Sequence, residues 1–233
     1  MVKPVQTPHP CSKCAFYSQS VWEPVGAGDV NYLAHRFKRK ELAKGQAVFE
    51  QGDANQGVTC VSRGLIALRT LHPDGSSTLI RLAYPGEIIG FRSFLSTRPH
   101  QTEARALIPS RVCHVSQNGA TQIARSTPGV LSRLARRSVA EIDRVHAHII
   151  DAATLSNKER LADLLMRLMC AHGEQKDGLW TMRLPLLRAD MADLIGVQSE
   201  TLSRLIGRLE KDGIFEFSGR LVRVPGLETT RCG

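Results

Sequence analysis

The stretch of residues 188–211, RADMADLIGVQSETLSRLIGRLEK, constrains the fold more than any other part of the sequence. Its apolar residues recur at the three- and four-residue spacing of two short helices that pack against each other. Gly196 stands between the two runs, where glycine can adopt the positive φ that ends a helix. The pattern predicts a helix-turn-helix, in which the first turns of the second helix meet base edges in the major groove of DNA.

Four residues of that second helix carry the expected DNA-reading chemistry. Ser199 is predicted to cap the helix, which places Glu200, Ser203 and Arg204 on one face. Arg204 can donate two hydrogen bonds to guanine, Glu200 can accept one from cytosine, and Ser203 can reach a thymine edge or a phosphate. The alternative is that Glu200 and Arg204 form an ordinary helix ion pair, which stabilises a helix by only about 0.2–0.5 kcal/mol. Further candidate DNA contacts are Arg188, Arg208 and Arg220.

Composition and charge restrict the class of protein. The 233 residues are enough for two domains, and the net charge of +9 with a pI of about 9.6 favours an anionic partner such as DNA. No apolar run approaches the roughly 20 residues of a membrane span, and the N-terminus lacks the apolar core of a signal peptide. We therefore expect a cytoplasmic protein without membrane contact, whose six cysteines are free thiols or ligands.

The first half of the chain has the pattern of a β-structure. Between residues 45 and 116, short runs of alternating apolar residues are separated by glycine turns, which predicts a sandwich or barrel. The Asp74-Gly75 pair is the best single hairpin signal. Residues 22–42 instead predict a short helical segment, on the spacing of Val30, Leu33, Ala34 and Phe37.

From about Pro128 the apolar period becomes helical. Seven residues follow one another in steps of four and three and form a seam typical of a coiled-coil homodimer: Leu131, Ala135, Ser138, Ile142, Val145, Ile149 and Ala152. The alternative is an amphipathic helix packed on its own domain. The arginines beside the seam are expected to be solvated or to approach DNA phosphates: Arg133, Arg136, Arg137 and Arg144.

The C-terminal part predicts a winged helix. Ser156 and Glu159 have the spacing of a capping box, which starts a helix before a strand-like stretch at residues 179–186. After the helix-turn-helix, residues 214–224 predict a hairpin that turns at residues 218–220. This hairpin would be the wing, with Arg220 and Arg223 placed to reach phosphates.

The predicted order of a β-barrel, a long helix and a winged helix, with the E-T-x-S-R run at residues 200–204, resembles the CRP/FNR family of bacterial transcription regulators. The resemblance implies an α+β fold: an N-terminal cyclic-nucleotide-binding-like β-barrel, a long dimerisation helix and a C-terminal winged helix-turn-helix. It implies a cysteine-containing segment at 1–22, a sensory barrel at 23–127, a dimerisation helix at 128–153 and a DNA-binding domain at 154–233.

The resemblance also implies a function. Glu200, Ser203 and Arg204 match the family's base-reading residues, and the expected target is double-stranded DNA with a palindrome similar to TTGAT-N4-ATCAA, one half-site per subunit. A homodimer that activates genes of low-oxygen or nitrogen-oxide metabolism is expected. RNA polymerase would be the protein partner, with the turn at residues 73–77 as a candidate contact.

The cysteines match the FNR branch incompletely. That branch binds a [4Fe-4S] cluster through three N-terminal cysteines and one from the barrel, and Cys11, Cys14 and Cys113 match three of the four. The remaining position falls on Ser20. The cofactor is therefore unknown: a cluster completed by Cys60, His9 or an external thiol, a thiol redox response, another ligand such as haem, and loss of sensing all remain open. Cys113 can equally be a buried apolar residue.

Two further positions depart from related branches. The residues that would hold a cyclic nucleotide match Gly90-Phe91 and Glu103-Ala104, and a glutamate facing the cyclic phosphate would repel it. We therefore expect no cyclic nucleotide. In the FNR pattern an acidic residue in the long helix opposes dimerisation, and the matching residue is Val145, so a dimer is expected without cofactor.

Competing functions belong to other classes. One is a small-ligand-binding barrel whose helical tail contacts proteins and has no sequence preference on DNA. The other is a redox enzyme that uses Cys11 and Cys14, but the sequence offers neither a cofactor fold nor a general base near them. We therefore expect a DNA-binding regulator without enzymatic activity.

Overall fold

The computed structural model describes residues 14–25, 36–176 and 179–225. The chain divides into two compact units, residues 1–143 and 144–233. Within the described ranges, no helix combines the length and apolarity that a membrane crossing requires.

The first unit is built on two antiparallel sheets of four strands. A short 3-10 helix, Tyr17–Gln19, precedes the strands. The strands are β1 Phe37–Leu42, β2 Ala47–Phe49, β3 Gly57–Arg63, β4 Ile66–Leu71, β5 Ser77–Ala83, β6 Ile88–Ile89, β7 Glu103–Ala106 and β8 Ser110–Ser116. Their order is β1-β8-β3-β6 in one sheet and β2-β7-β4-β5 in the other. The predicted β-domain is confirmed, and its hairpin at Asp74-Gly75 joins β4 to β5 with Gly75 at φ 82°.

The helical prediction for residues 22–42 is wrong over its described last part. Phe37–Leu42 form strand β1, which pairs with β8 from Phe37 opposite Val115 to Leu42 opposite Ser110. The strand is buried at its two ends and exposed between them, where charged residues face solvent at the edge of the sheet. Pairing with a strand about 70 residues away overrides the local apolar spacing. Val30, Leu33 and Ala34 lie outside the described residues.

Two apolar cores hold the first unit together. One lies between the two sheets and includes Val61, Ile66, Ala104 and Val112. The other covers the opposite face of the β1-β8-β3-β6 sheet, and Trp22 at its centre is completely buried. Because side chains alternate along a strand, β3 sends Val61 into the first core and Val58 into the second.

In the described ranges, six helices follow or interrupt the strands. They are α1 Phe91–Ser96, α2 Gln117–Ser126, α3 Pro128–Thr154, α4 Asn157–His172, α5 Arg188–Ile195 and α6 Ser199–Lys211. The predicted start of the long helix at Pro128 is confirmed. So is the capping box of α4, in which Ser156 Oγ accepts from Glu159 N (3.3 Å) and Ser156 N donates to the Glu159 carboxylate (2.8 Å).

The second unit contains a small antiparallel sheet beside the last three helices. Its strands are β9 Glu174–Lys176, β10 Leu179–Arg183, β11 Glu216–Ser218 and β12 Leu221–Pro225, in the order β11-β12-β10-β9. The predicted wing hairpin is confirmed, with Ser218 opposite Leu221 and Gly219 at φ 62° in the turn.

Candidate DNA-binding interface and sensory sites

The turn between α5 and α6 has the left-handed conformation that Gly196 was predicted to adopt. Gly196 is left-handed, with φ 68° and ψ 46°. Its N–H donates to the Asp193 carbonyl (3.1 Å), and the next N–H, of Val197, donates to the Ala192 carbonyl (3.0 Å). This pair of bonds is a Schellman motif, which satisfies the last carbonyls of α5 and turns the chain at once into α6.

Helix α6 buries one apolar face in its own domain and exposes its polar face to solvent. Leu202, Leu205, Ile206 and Leu209 are buried, whereas Ser199, Glu200, Ser203, Arg204 and Arg208 are exposed. An ion pair between Lys158 Nζ and Asp212 (2.8 Å) joins the start of α4 to the end of α6. The helix therefore presents its polar face from a fixed position.

The capping role expected of Ser199 is wrong. Ser199 is the first residue of α6, and the N-cap is Gln198, in extended conformation (φ −75°, ψ 154°) and without a capping hydrogen bond from its side chain. The Schellman motif ends at Val197. Gln198, the next residue, is extended and therefore occupies the N-cap position of α6. Glu200, Ser203 and Arg204 still lie in the first two turns. No ion pair joins Glu200 to Arg204 in the described part of the chain, so both side chains are available to a partner.

Arg188 and Ser203 contact each other across the helix-turn-helix. Arg188 Nη1 donates to Ser203 Oγ (3.2 Å), and Ser203 Oγ donates its proton to the Ser199 carbonyl (3.2 Å). A serine hydroxyl has one proton and two lone pairs. In this arrangement one lone pair remains, so Ser203 can accept a hydrogen bond from a base amino group but cannot donate one.

The two wing arginines have different surroundings. The half-buried Arg220 donates from Nη2 (2.7 Å) and Nε (3.2 Å) to the Leu184 carbonyl, and its own carbonyl accepts from Leu184 N (2.8 Å). Arg220 therefore connects the wing turn to the segment that leads into α5. Arg223 on β12 is exposed.

Helix α3 buries one stripe and exposes the predicted seam. Val130 and Leu134 are buried in the core of their own unit, as the amphipathic alternative requires. The centre of the seam remains outside that core, with exposed fractions of 54% for Ile142, 56% for Val145 and 60% for Ile149. Leu131, Ala135 and Ala152 are also exposed, and Ser138 is half-buried.

A cavity of about 400 Å³ opens in the β-domain where a cyclic nucleotide would be sought. Gly90, Phe91 and His100 line it, together with Arg81, which makes ion pairs with Glu87 (2.9 Å) and Glu141 (2.8 Å). His100 stacks on Phe49, with ring centroids 3.7 Å apart, and burial lowers its pKa.

Glu103 does not face this cavity, which corrects its expected position. Its buried carboxylate pairs with Arg105 (3.0 Å), and Arg105 also binds Glu50 (2.9 Å). Strand β7 begins at Glu103, so the cavity is lined by the residues just before it, His100, Gln101 and Thr102. Repulsion of a phosphate by Glu103 is therefore not a reason to exclude a cyclic nucleotide, whereas Phe91 at the second position offers no polar group to a ribose.

Three free thiols lie on or near the β1-β8-β3-β6 sheet: Cys14, Cys60 and Cys113. Cys60 on β3 stands directly opposite Cys113 on β8. Trp22 Nε1 donates to Cys60 Sγ (3.2 Å). Burial raises the pKa of the Cys60 thiol to about 12, and the charges of Cys113 and Cys14 act in the same direction.

The other cysteines give a mixed result. Cys170 is disulfide-bonded, so the expectation of free thiols is wrong for that residue. Cys11 and His9 lie outside the described residues. The proximity of Cys60 and Cys113 could not be read from the sequence, because it depends on the register of two strands more than 50 residues apart.

The segment that carries Cys14 is bound to helix α3. Arg133 Nη1 donates to the carbonyls of Ser18 (3.2 Å) and Ser20 (2.9 Å), and its Nη2 pairs with Glu23 (2.6 Å). Arg137 Nη2 donates to the Gln19 carbonyl (3.0 Å). Two arginines that the sequence predicted to be solvated flanks therefore hold the cysteine-bearing segment.

An antiparallel β-domain, a long helix with an exposed apolar seam and a winged helix-turn-helix together define a DNA-binding transcription regulator. Two family models match the sequence: a cyclic nucleotide-binding domain over residues 39–127 and a Crp-like helix-turn-helix domain over residues 159–229. Together they span more than half of the chain, which belongs to the CRP/FNR family.

The chain is similar to named regulators over most of its length. It is 28% identical to the nitrogen fixation regulation protein FixK of Bradyrhizobium diazoefficiens over 88% of this chain and 85% of that one. It is 24% identical to the anaerobic regulatory protein of Pasteurella multocida, over 92% and 78%. The solved structure of FixK2 from Bradyrhizobium japonicum has the same fold, with a TM-score of 0.68 at 23% identity, over 84% of this chain and 95% of that one.

Proposed function

We propose that this protein binds, as a homodimer, a DNA palindrome similar to TTGAT-N4-ATCAA and activates genes of low-oxygen or nitrogen-oxide metabolism. The observation that carries the proposal is the exposed face of α6, where Glu200, Ser203 and Arg204 lie in the first two turns and match the E-T-x-S-R run of the FNR branch. The names of the similar regulators, which refer to nitrogen fixation and anaerobic regulation, support the physiological part.

A homodimer would match the two-fold symmetry of the proposed palindrome. A palindrome contains two identical half-sites, and a two-fold dimer presents one recognition helix to each. The exposed seam of α3 supplies an apolar surface for such a dimer. We further propose that Glu200, Ser203 and Arg204 read bases, with Ser199, Arg188 and Arg208 beside them. Arg220 would act mainly by positioning the wing, since its guanidinium already binds the Leu184 carbonyl.

The remaining parts of the proposal concern partners and class. We propose a cytoplasmic location, because the target DNA of a bacterial regulator lies in the cytoplasm. RNA polymerase is the proposed protein partner, through the turn at residues 73–77, where Asp74 accepts from the Ser76 N–H (2.9 Å). The protein acts by binding, without catalysis.

The test is a fluorescence-anisotropy titration of the purified protein with three duplexes of equal length at one salt concentration. They contain the intact palindrome, the palindrome with the G·C pair of both half-sites exchanged, and a scrambled sequence. Specific recognition predicts affinity for the intact site about 10³-fold or more above that for the scrambled duplex. Equal affinity for all three would contradict the proposal and favour binding through net charge alone.

A double-mutant cycle tests the contact between Arg188 and Ser203. Since Arg188 occupies one lone pair of the Ser203 hydroxyl, the effects of Arg188→Met and Ser203→Ala on palindrome affinity should not be additive. We expect a coupling free energy of at least about 0.5 kcal/mol, from titrations of the four proteins at one salt concentration. Effects that add within about 0.3 kcal/mol would mean that the two side chains act independently on DNA.

A further inference from the structure

The exposed seam of α3 has a defined heptad register. Its residues follow one another in steps of four and three, which places Ile142 at an a position and Val145 at a d position. Glu141 comes directly before the a position and is therefore a g residue. His146 comes directly after the d position and is therefore an e residue. In a coiled coil the e and g residues flank the seam and form ion pairs between the two helices.

The proposed homodimer, on which this inference rests, uses the whole seam when its two helices run parallel and in register. Each seam residue then meets its own copy, so the large exposed side chains of Ile142, Val145 and Ile149 cover one another. An antiparallel pairing over the full helix would instead bring Ile149 to the N-terminal half, where the seam residues are mostly small. The parallel arrangement also leaves the two C-terminal ends of α3, from which the DNA-binding domains continue, side by side.

This register brings one acidic and one basic side chain together across the seam. In a parallel coiled coil, a g residue of one helix faces the e residue of the next heptad on the other helix. The pairs that α3 can form in this way are Leu134 with Val139, Glu141 with His146, and His148 with Ala153. The middle pair joins a carboxylate to an imidazole, and a two-fold dimer contains it twice.

Glu141 is oriented by strand β5 of its own β-domain. Arg81 Nε donates to Glu141 (2.8 Å), and Arg81 Nη1 donates to Glu87 (2.9 Å). The exposed fractions of these side chains are 13% for Arg81, 20% for Glu87 and 21% for Glu141, so the cluster is partly withdrawn from solvent. One guanidinium and two carboxylates carry a net charge of −1. A second cationic group beside Glu141 would balance that charge, which stabilises partly buried carboxylates.

His146 can supply such a group only from the other subunit. Its side chain is exposed beside the seam. A histidine ring has at least one N–H donor in either charge state, so it can donate to a carboxylate, and its charged form is also a cation. Residues that are neighbours on the surface of one helix are three or four positions apart, whereas Glu141 and His146 are five apart. Within one chain the two side chains therefore do not face each other.

We propose that His146 of the partner subunit donates a hydrogen bond to Glu141, so that each subunit completes the Arg81–Glu141 cluster of the other. Arg81 and Glu141 also line the cavity of the β-domain. The partner subunit thus contributes to a charge cluster in the wall of that cavity, and the dimer seam and the cavity share one carboxylate.

Sedimentation equilibrium of the full-length wild type and its variants tests this contact. His146→Glu replaces two attractive contacts of the dimer by two repulsive ones, so we expect the dimer dissociation constant to rise about 10-fold or more. Glu141→Gln keeps a carbonyl oxygen for Arg81 but removes the charge. In that background we expect His146→Glu to raise the dissociation constant by less than about 3-fold.

The matched control is His148→Glu. It makes the same change two residues further along the helix, at an exposed g position that faces Ala153 of the partner subunit. We expect it to change the dissociation constant by less than about 3-fold, with or without the charge of Glu141. Since the three substituted side chains are at most half-buried, all variants should keep the helix content of the wild type, which circular dichroism measures.

Two results would overturn the proposal while the homodimer stands. One is an effect of His146→Glu that is the same with and without the charge of Glu141. The other is a loss for His148→Glu as large as that for His146→Glu, because added charge alone would then weaken the dimer. A wild-type protein that is monomeric over the whole concentration range would overturn this inference together with the proposed homodimer. DNA is absent from the measurement, so base recognition by α6 is judged separately.

Discussion

Val145→Glu is expected to convert a dimer into a monomer at micromolar concentration. Val145 lies at the centre of the exposed seam of α3, so a two-fold dimer would bring two new carboxylates together in an apolar interface. Removing each charge from water costs several kcal/mol, and the two charges repel each other. A loss of about 4 kcal/mol would raise the dimer dissociation constant about 1000-fold. Sedimentation equilibrium or size exclusion with light scattering of the metal-free protein measures the change.

The matched control for this change is Ala147→Glu. Ala147 is exposed on the same helix, two residues further on, and lies outside the seven residues of the seam. The control introduces the same charged side chain outside the seam, so it should leave the dimer intact. A wild-type protein that is already monomeric without cofactor would refute the expectation of a cofactor-independent dimer. A Val145→Glu protein that remains dimeric would show that the subunits associate through another surface.

Arg204→Ala is expected to remove recognition of one base pair in each half-site. The guanidinium of Arg204 is exposed on α6, and its planar fork can donate two bonds to guanine O6 and N7. Its loss should cost about 1–3 kcal/mol per half-site on the palindrome and much less on scrambled DNA. Anisotropy titrations against the palindrome and all three substitutions at the affected base pair measure both effects.

Two control variants separate charge from geometry in this experiment. Arg204→Lys keeps the positive charge but loses the fork, so it should retain non-specific binding and lose discrimination between base pairs. Arg125→Ala removes one positive charge from the exposed end of α2, outside the helix-turn-helix, and should leave the preference for the palindrome unchanged. An equal loss for Arg204→Ala on every sequence would mean that Arg204 contacts only phosphate.

Local signals were sufficient for much of this protein. The helix-turn-helix, the capping box of Ser156 and Glu159, and the hairpin at Asp74-Gly75 each depend on residues within a few positions of one another. Such interactions are largely complete within one segment, so the spacing of a few side chains predicts them. The same spacing identified the face of α6 that is proposed to read DNA.

Other features depend on which distant segments meet. Residues 37–42 form a strand because β8 pairs with them. Glu103 does not line the cavity, because it is the first residue of β7 and its carboxylate forms an ion pair with Arg105. Arg220 is committed to the Leu184 carbonyl although its position in the wing turn resembles that of a free phosphate contact. In each case a long-range partner changes what the local pattern alone would predict.

The cysteines show most clearly what the sequence determined and what the tertiary structure determined. The sequence by itself predicted, through its resemblance to the FNR branch, that Cys11, Cys14 and Cys113 match three of four cluster-ligand positions, and it places a serine at residue 20. Only the tertiary structure decided that Cys60 lies opposite Cys113, because a shift of one residue between β3 and β8 would turn one of the two thiols to the other face of the sheet. That register is set by apolar packing on both faces of the sheet, which no short stretch of sequence contains.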